Sequence, residues 1–334
     1  KDGSSYFSSG LRTRWGEGPW LGDFVTLFGT ADPELLEHEG KAFTAGGRRY
    51  TVDVHGHSLS VYSGTGSRRT IAHDVIVRKI ADIMGFAGLP GVAVEDANVF
   101  KCCIDSTARR RRYLQQLGSH TTGHGIRPDL SVPRHPFARS SVGPSQHQLY
   151  DVKTIGRTPT YHTPYRVQPA DQRARAVPGE YRRSAIQCDR TWNGTPPGTV
   201  GTFEAYLRSL PPVIGLGFGG YGEWSKEVDS LIGQLAEIAS AVPERLGCCH
   251  GPAQAQGQYA QWARKHLHRE SLREVSRCRH AALDRLLLRP TETYAGDPDH
   301  CRMMDDSPND PGVANAWDSS DARGAYEDRP PRAA

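Results

Sequence analysis

The sequence predicts an α/β (α+β) chain in the order helix, strand, strand, strand, helix, strand, helix. Two observations carry that order. Apolar residues recur at helical spacing over 71–84 and 225–242, and four short apolar runs near 92–95, 126–132, 148–155 and 212–218 have strand character. Gly and Pro punctuate the joins between these segments.

Residues 1–70 read as a strand-rich extension, with strand-like runs at Tyr50-Thr51-Val52-Asp53-Val54 and Leu59-Ser60-Val61-Tyr62. The first helix, 71–84, places Ile76, Ile80, Ile83 and Met84 on one stripe. Thr70 is positioned to cap it, and Gly85 and Gly88 to end it. Val92-Ala93-Val94-Glu95 follows a Pro-Gly turn as a strand. The Arg- and His-rich stretch 104–125 shows no periodicity and reads as an insertion. Strands at 126–132 and 148–155 flank a polar loop with Pro133, Pro136, Gly143 and Pro144, which suits a long hairpin connection. A helical stretch over 171–190 is interrupted at Pro178-Gly179. Pro212 to Phe218 forms the last strand, and the 225–242 helix aligns Val228, Leu231, Ile232, Leu235 and Ile238 behind a Ser225 cap. Two further helices fill 255–288. The division that follows is an extension over 1–70, a core over 71–245, a C-terminal helical extension over 246–290 and a disordered acidic tail over 291–334.

Composition narrows the function classes. With 334 residues the chain can bury a core, but 37% hydrophobic residues beside 36 Gly and 23 Pro predict a folded centre with loose edges. No run approaches the roughly 20 apolar residues of a membrane span, and no signal peptide is written at the start. The expectation is an intracellular protein, nuclear or cytoplasmic and not secreted. A first residue of Lys1 reads as a fragment or processed product. Seven cysteines without CxxC spacing give no zinc ribbon or redox motif. His55 and His57, His120 and His124, and Cys248-Cys249-His250 lack a second ligand pair at zinc spacing. The formal charge is +4, yet the Asp-rich end leaves the preceding part more basic. Arg109 to Arg112 and Arg173, Arg175, Arg182 and Arg183 form clusters that suit a phosphate backbone or a solvated face.

Chemistry concentrates at Leu149-Tyr150-Asp151-Val152-Lys153-Thr154-Ile155. On a strand, Asp151 and Lys153 share one face while Tyr150 and Val152 take the other. Asp129 lies on the preceding strand, and antiparallel pairing would set it beside Asp151, about 5 Å away. Two carboxylates so close call for a cation. Mg²⁺ accepts one or two carboxylates and keeps several waters, and the Val152 carbonyl is a further oxygen donor. Lys153 would orient or help deprotonate a water for in-line attack on a phosphodiester. Lysine is used seven times against thirty-four arginines, so a compact ammonium here is a selective choice. The alternative is an exposed Asp–Lys pair at a strand edge. A second such triplet, Glu39-Gly40-Lys41, has no Pro-Asp before it.

The arrangement Gly125-Ile126-Arg127-Pro128-Asp129-Leu130, then Asp151-Val152-Lys153-Thr154-Ile155, resembles the PD-(D/E)XK nuclease superfamily. More closely it is similar to nuclease-like segments of mobile-element and retroelement-associated proteins of unicellular algae. His73-Asp74, Glu95 followed by Phe100, Tyr181 with Asp189, and the run Gly215 to Glu223 fit the same resemblance, which covers about 70–290. It implies a restriction-endonuclease-like mixed central sheet flanked by helices and a DNA endonuclease activity that uses Mg²⁺ or Mn²⁺. Its expected catalytic residues are Asp129, Asp151 and Lys153, and its metal ligands Asp129, Asp151, the Val152 carbonyl and Glu95. Expected DNA contacts are Arg127, Tyr181, Arg182 and Arg183, with His73 and Asp74 accessory. DNA is the expected partner, and a larger element-encoded protein the expected context. Pro178-Gly179, Cys102-Cys103 and Arg109–Arg112 depart from the pattern. Two other functions stay open. One is a catalytically inactive DNA-binding remnant; the other is a nucleotide-binding enzyme using Gly215-x-Gly217-x-x-Gly220, which needs a following parallel strand that the sequence does not supply.

Overall fold

The computed structural model describes residues 33–45, 48–56, 58–61, 68–118, 125–138, 147–155, 169–220, 222–242 and 251–288. Among them are seven α-helices: α1 (Pro33–Leu36), α2 (Arg68–Ala87), α3 (Thr107–Gly118), α4 (Pro169–Cys188), α5 (Thr202–Ser209), α6 (Lys226–Ser240) and α7 (Pro252–Leu288). The strands are β1 (Ala42–Ala45), β2 (Arg48–Thr51), β3 (Ala93–Val94), β4 (Leu130–Val132), β5 (Gln148–Thr154) and β6 (Ile214–Phe218). β1 and β2 pair antiparallel by themselves. The other four form a mixed sheet in the order β3-β4-β5-β6, antiparallel except for the parallel β5–β6 pair.

Each face of this sheet carries helices. Tyr150, Val152, Leu216 and Phe218 point to one side and meet Ile76, Ile80 and Ile83 of α2, Leu231, Ile232 and Leu235 of α6, and Tyr259, Ala263 and Leu267 of α7. Leu149 points to the other side and joins Val177, Tyr181 and Ala185 of α4, Phe203 of α5 and Tyr113 of α3. A third cluster sets Leu35, Phe43, Val52 and Leu59 against Ala282 and Leu283 of α7. No helix of the described residues is long and apolar enough to cross a membrane. Cys102 and Cys103 are thiols, not joined in a disulfide.

Several boundaries differ from the sequence reading, each for a physical reason. α2 begins at Arg68, so Thr70 lies inside the helix instead of capping it. Gly85 is also helical; the stop is at Gly88, where φ is +97° and the Gly88 and Leu89 amides return to Gly85 O (3.0 Å) and Met84 O (3.1 Å). The stretch 104–125, expected to be an insertion, contains α3. Its apolar contacts are few, Tyr113 with Leu114 and Leu117 packed beside it; the Tyr113 hydroxyl donates to Ile126 O (3.0 Å) and accepts from Ile126 N (3.2 Å). α4 runs unbroken through Pro178. α7 is one helix, not two. In the N-terminal part the strands are β1 and β2, and Ser58–Val61 is a 3₁₀ turn. α5 was not expected from the sequence; its first amides, at Phe203 (2.9 Å) and Glu204 (3.0 Å), donate to the buried Asp189 carboxylate. The tail 291–334, His57, His120, His124, Gly143, Pro144 and Cys248 to His250 lie outside the described residues.

Candidate active site

The site forms where β4, β5, α2 and α4 meet. Leu130 pairs with Tyr150, so the antiparallel register sets Asp129, just before β4, across from Asp151. The Asp129 Oδ2 atom accepts the Val152 amide at 2.5 Å, and its own carbonyl accepts the Glu95 amide at 2.9 Å. Alternation along β5 sends Asp151 and Lys153 toward α4. There the Lys153 Nζ lies 2.8 Å from Asp151 Oδ2, and the Tyr181 hydroxyl donates to Asp151 Oδ1 at 3.1 Å. Beyond Lys153, at 3.4 Å, stands Glu180 Oε2; the other Glu180 oxygen accepts from Arg173 at 2.6 Å.

Two glycines let α4 come this close. Gly215 and Gly217 on β6 are in register with Asp151 and Lys153, on the face that α4 covers. A Cβ at Gly215 would strike the Ala174 carbonyl and, at 2.7 Å, Val177 Cγ2; one at Gly217 would strike the Ala170 carbonyl. Pro178 has no amide to give Ala174 O its helical bond, and Gly215 lies against that same carbonyl. At the N-terminus of α6, the Lys226 amide donates to Asp171 Oδ1 at 2.8 Å, while Ser225 Oγ accepts from Gly217 N instead of capping. Gly215 and Gly217 thus pack a helix on a strand, and the Asp171 carboxylate sits at the α6 N-terminus, where a dinucleotide fingerprint would place its phosphate.

His73, in the second turn of α2, closes the site from the opposite face. Its Nε2 lies 3.2 Å from Asp129 Oδ2 and 3.2 Å from Val152 O, and its Nδ1 lies 3.3 Å from Asp74 Oδ1. All three neighbours are acceptors, an arrangement that a doubly protonated ring satisfies. Burial alone would lower its pKa; hydrogen bonding and charge from Asp129, then Asp74, outweigh this and raise it to about 9. Burial raises the pKa of Asp151; Lys153 opposes that and Asp129 adds to it, with a net upward direction. For Lys153, burial works against the charged form, but Asp151 and Glu180 prevail and its pKa is raised. Tyr181 is pushed well up by burial and by Asp151, so it remains a phenol that can donate.

The oxygen donors present are of the kind a hard divalent cation takes. Asp129 Oδ2 and Val152 O already converge on one cationic nitrogen, and Asp151 on another. Among the described residues no three His, Cys, Asp or Glu side chains form a ready-made metal cluster. A Mg²⁺ site does not require three, because two carboxylates, a carbonyl and waters suffice.

The other expected residues are less central. Glu95 holds a left-handed φ of +50°, which a non-glycine residue adopts at a cost of about 1–3 kcal/mol, and its carboxylate pairs with Arg127 at 3.3 Å. Tyr181 is buried on Asp151 and is no surface for phosphate. Arg182 pairs with Glu204 at 3.2 Å, and Arg183 is exposed beside Gly179. Sequence reasoning missed Glu180, because the break expected at Pro178-Gly179 concealed the helix that carries it. The signal available was the seven-residue step from Arg173 to Glu180, two helical turns. Neither a family model, nor a curated protein, nor a solved structure matches the chain.

Proposed function

We propose that the chain is a Mg²⁺-dependent DNA endonuclease with Asp129, Asp151 and the Val152 carbonyl as metal ligands. The observation that carries this reading is the Asp151–Lys153 pair at 2.8 Å on one strand face, with Asp129 bonded to the intervening Val152 amide. Such an arrangement sets a carboxylate against a protonated amine, with a second carboxylate on the backbone between them. When bound, the ion supplies Lewis acidity toward a water and a phosphate oxygen. Lys153 donates a hydrogen bond that orients the attacking water and offers positive charge to the phosphoryl oxygens, where negative charge builds in the transition state. Tyr181 fixes the Asp151 carboxylate from the side away from Lys153. One P–O ester bond breaks as the water oxygen bonds to phosphorus, and the leaving oxygen takes a proton.

Single-turnover cleavage of a labelled duplex in Mg²⁺ or Mn²⁺ tests the reading. Wild type should cut with metal and not with chelator. Asp151→Ala should lose roughly a thousandfold or more in rate, about 4 kcal/mol, and still bind the duplex. Lys153→Ala should keep metal affinity and slow the chemical step, and Lys153→Arg should rescue poorly because a planar fork replaces a point charge. Equal cutting by all four proteins would place the site elsewhere. Salt-dependent binding by a wild type that cuts in neither metal would favour the DNA-binding remnant. In that binding, loss of Arg183 should flatten the log affinity against log salt slope by about one.

A further inference from the structure

We propose that Glu180 is a positioning residue that holds the Lys153 ammonium once Asp151 turns its charge to the metal. The inference rests on the nuclease reading and assigns the site a residue that reading does not require. Both Asp151 oxygens are already engaged, Oδ1 by Tyr181 and Oδ2 by Lys153. A divalent cation on Asp151 competes with Lys153 for the same carboxylate and also repels the ammonium. Lys153 is 24% exposed, so a side chain with no other anchor can swing to solvent. Glu180 supplies that anchor at 3.4 Å.

Glu180 is itself fixed. Arg173, on the same face of α4, takes Oε1 at 2.6 Å and leaves Oε2 toward Lys153. Charges then alternate along the row Asp151, Lys153, Glu180, Arg173. The row depends on α4 running unbroken through Pro178 and lying against Gly217, which is in register with Lys153. A surface ion pair would contribute little. Glu180, however, is 17% exposed and held from both sides, a geometry that fixes a direction in space.

The test compares wild type with Glu180→Gln and Glu180→Ala. In single-turnover cleavage at saturating Mg²⁺, Glu180→Ala should lower the rate constant about 30-fold and Glu180→Gln about 10-fold, with duplex Kd changed less than about twofold. Mn²⁺ affinity by calorimetry should also stay within about twofold. The second readout does not need activity. With ¹⁵Nζ-lysine the seven lysine ammonium signals can be followed, and Lys153 assigned by its loss in Lys153→Arg. In the Mg²⁺-loaded protein, exchange of its protons with water should accelerate at least fivefold in Glu180→Ala. Gln is nearly isosteric, so the Gln variant decides the matter if the Ala variant fails to fold. Unchanged ammonium exchange, or an unchanged rate in a protein whose wild type cuts, overturns the proposal. Absence of cleavage by wild type counts against the nuclease reading alone, and the exchange measurement still decides whether Glu180 holds Lys153.

Discussion

His73 binds two strands together through a proton. Its ring donates to Asp129, to the Val152 carbonyl and to Asp74, so removing the proton leaves acceptors facing acceptors. The folded pKa of about 9 lies above the ordinary histidine value of 6.5. The stabilisation is therefore fully present below about pH 6.5 and is lost as pH rises through about 9. For the metal-free protein, thermal melts should show stability falling by on the order of 2 kcal/mol between pH 6.5 and 9.5. His73→Gln should flatten that limb; an equal fall in the variant would show that His73 does not carry it. At this scale the sequence was readable where the period of a strand decides orientation, as for Asp151 and Lys153. It was unreadable where a side chain crosses from another element. His73 could be placed at a helix start, but its approach to the Val152 carbonyl depends on how α2 lies on the sheet. Glu95 shows the same limit: its strained backbone and its pairing with Arg127 arise where the end of β3 meets the residues before β4.

At the scale of elements, the approach of α4 to β6 determines whether the site exists. Tyr181 and Glu180 reach β5 only because Gly215 and Gly217 leave no Cβ between the helix and the sheet. Gly217→Ala should therefore cost about 1–3 kcal/mol by overpacking, since what it meets is helix backbone and cannot rotate away. In α6, Gly233 is exposed, and a methyl group added there would meet nothing within 4 Å. Gly233→Ala should raise stability by about 0.5–1 kcal/mol. Urea midpoints of the two variants check the pair, and a Gly217→Ala protein as stable as wild type would contradict the packing account. The glycine spacing was visible in the sequence, but two explanations share it. A phosphate loop and a helix packed on a strand both need backbone without side chains. What separates them is the Asp171 carboxylate at the α6 N-terminus, contributed from 55 residues away. Likewise α3 hid behind its arginines, because its apolar side is short: Tyr113, with Leu114 and Leu117 packed beside it.

Across the whole molecule, α7 is the element that joins separate clusters. Its first half covers α2 and α6 through Tyr259, Ala263 and Leu267, and its last turns carry Ala282 and Leu283 to the N-terminal cluster. The Tyr259 hydroxyl donates to the Ile83 carbonyl at 2.7 Å, so a polar bond is buried at the centre of that contact. The helical character of this stretch was legible, but its continuity was not: two helices were expected, and packing on two partners keeps one helix favourable over 37 residues. A chain ending at residue 250 would expose the α2 and α6 side chains that α7 covers. Tyr259→Ala removes less, yet should cost about 3–5 kcal/mol through the lost ring and the stranded carbonyl. Since domains of this size are typically stable by only about 5–15 kcal/mol, the truncated chain should lose its cooperative thermal transition. Calorimetry of the truncated chain beside Tyr259→Ala separates two arrangements. If α7 completes the core, the point variant melts cooperatively at a lower temperature and the truncation does not melt cooperatively at all. If α7 were an appendage, the truncation would melt like the full chain, and the layer assigned to it would not be part of the fold that positions Asp151 and Lys153.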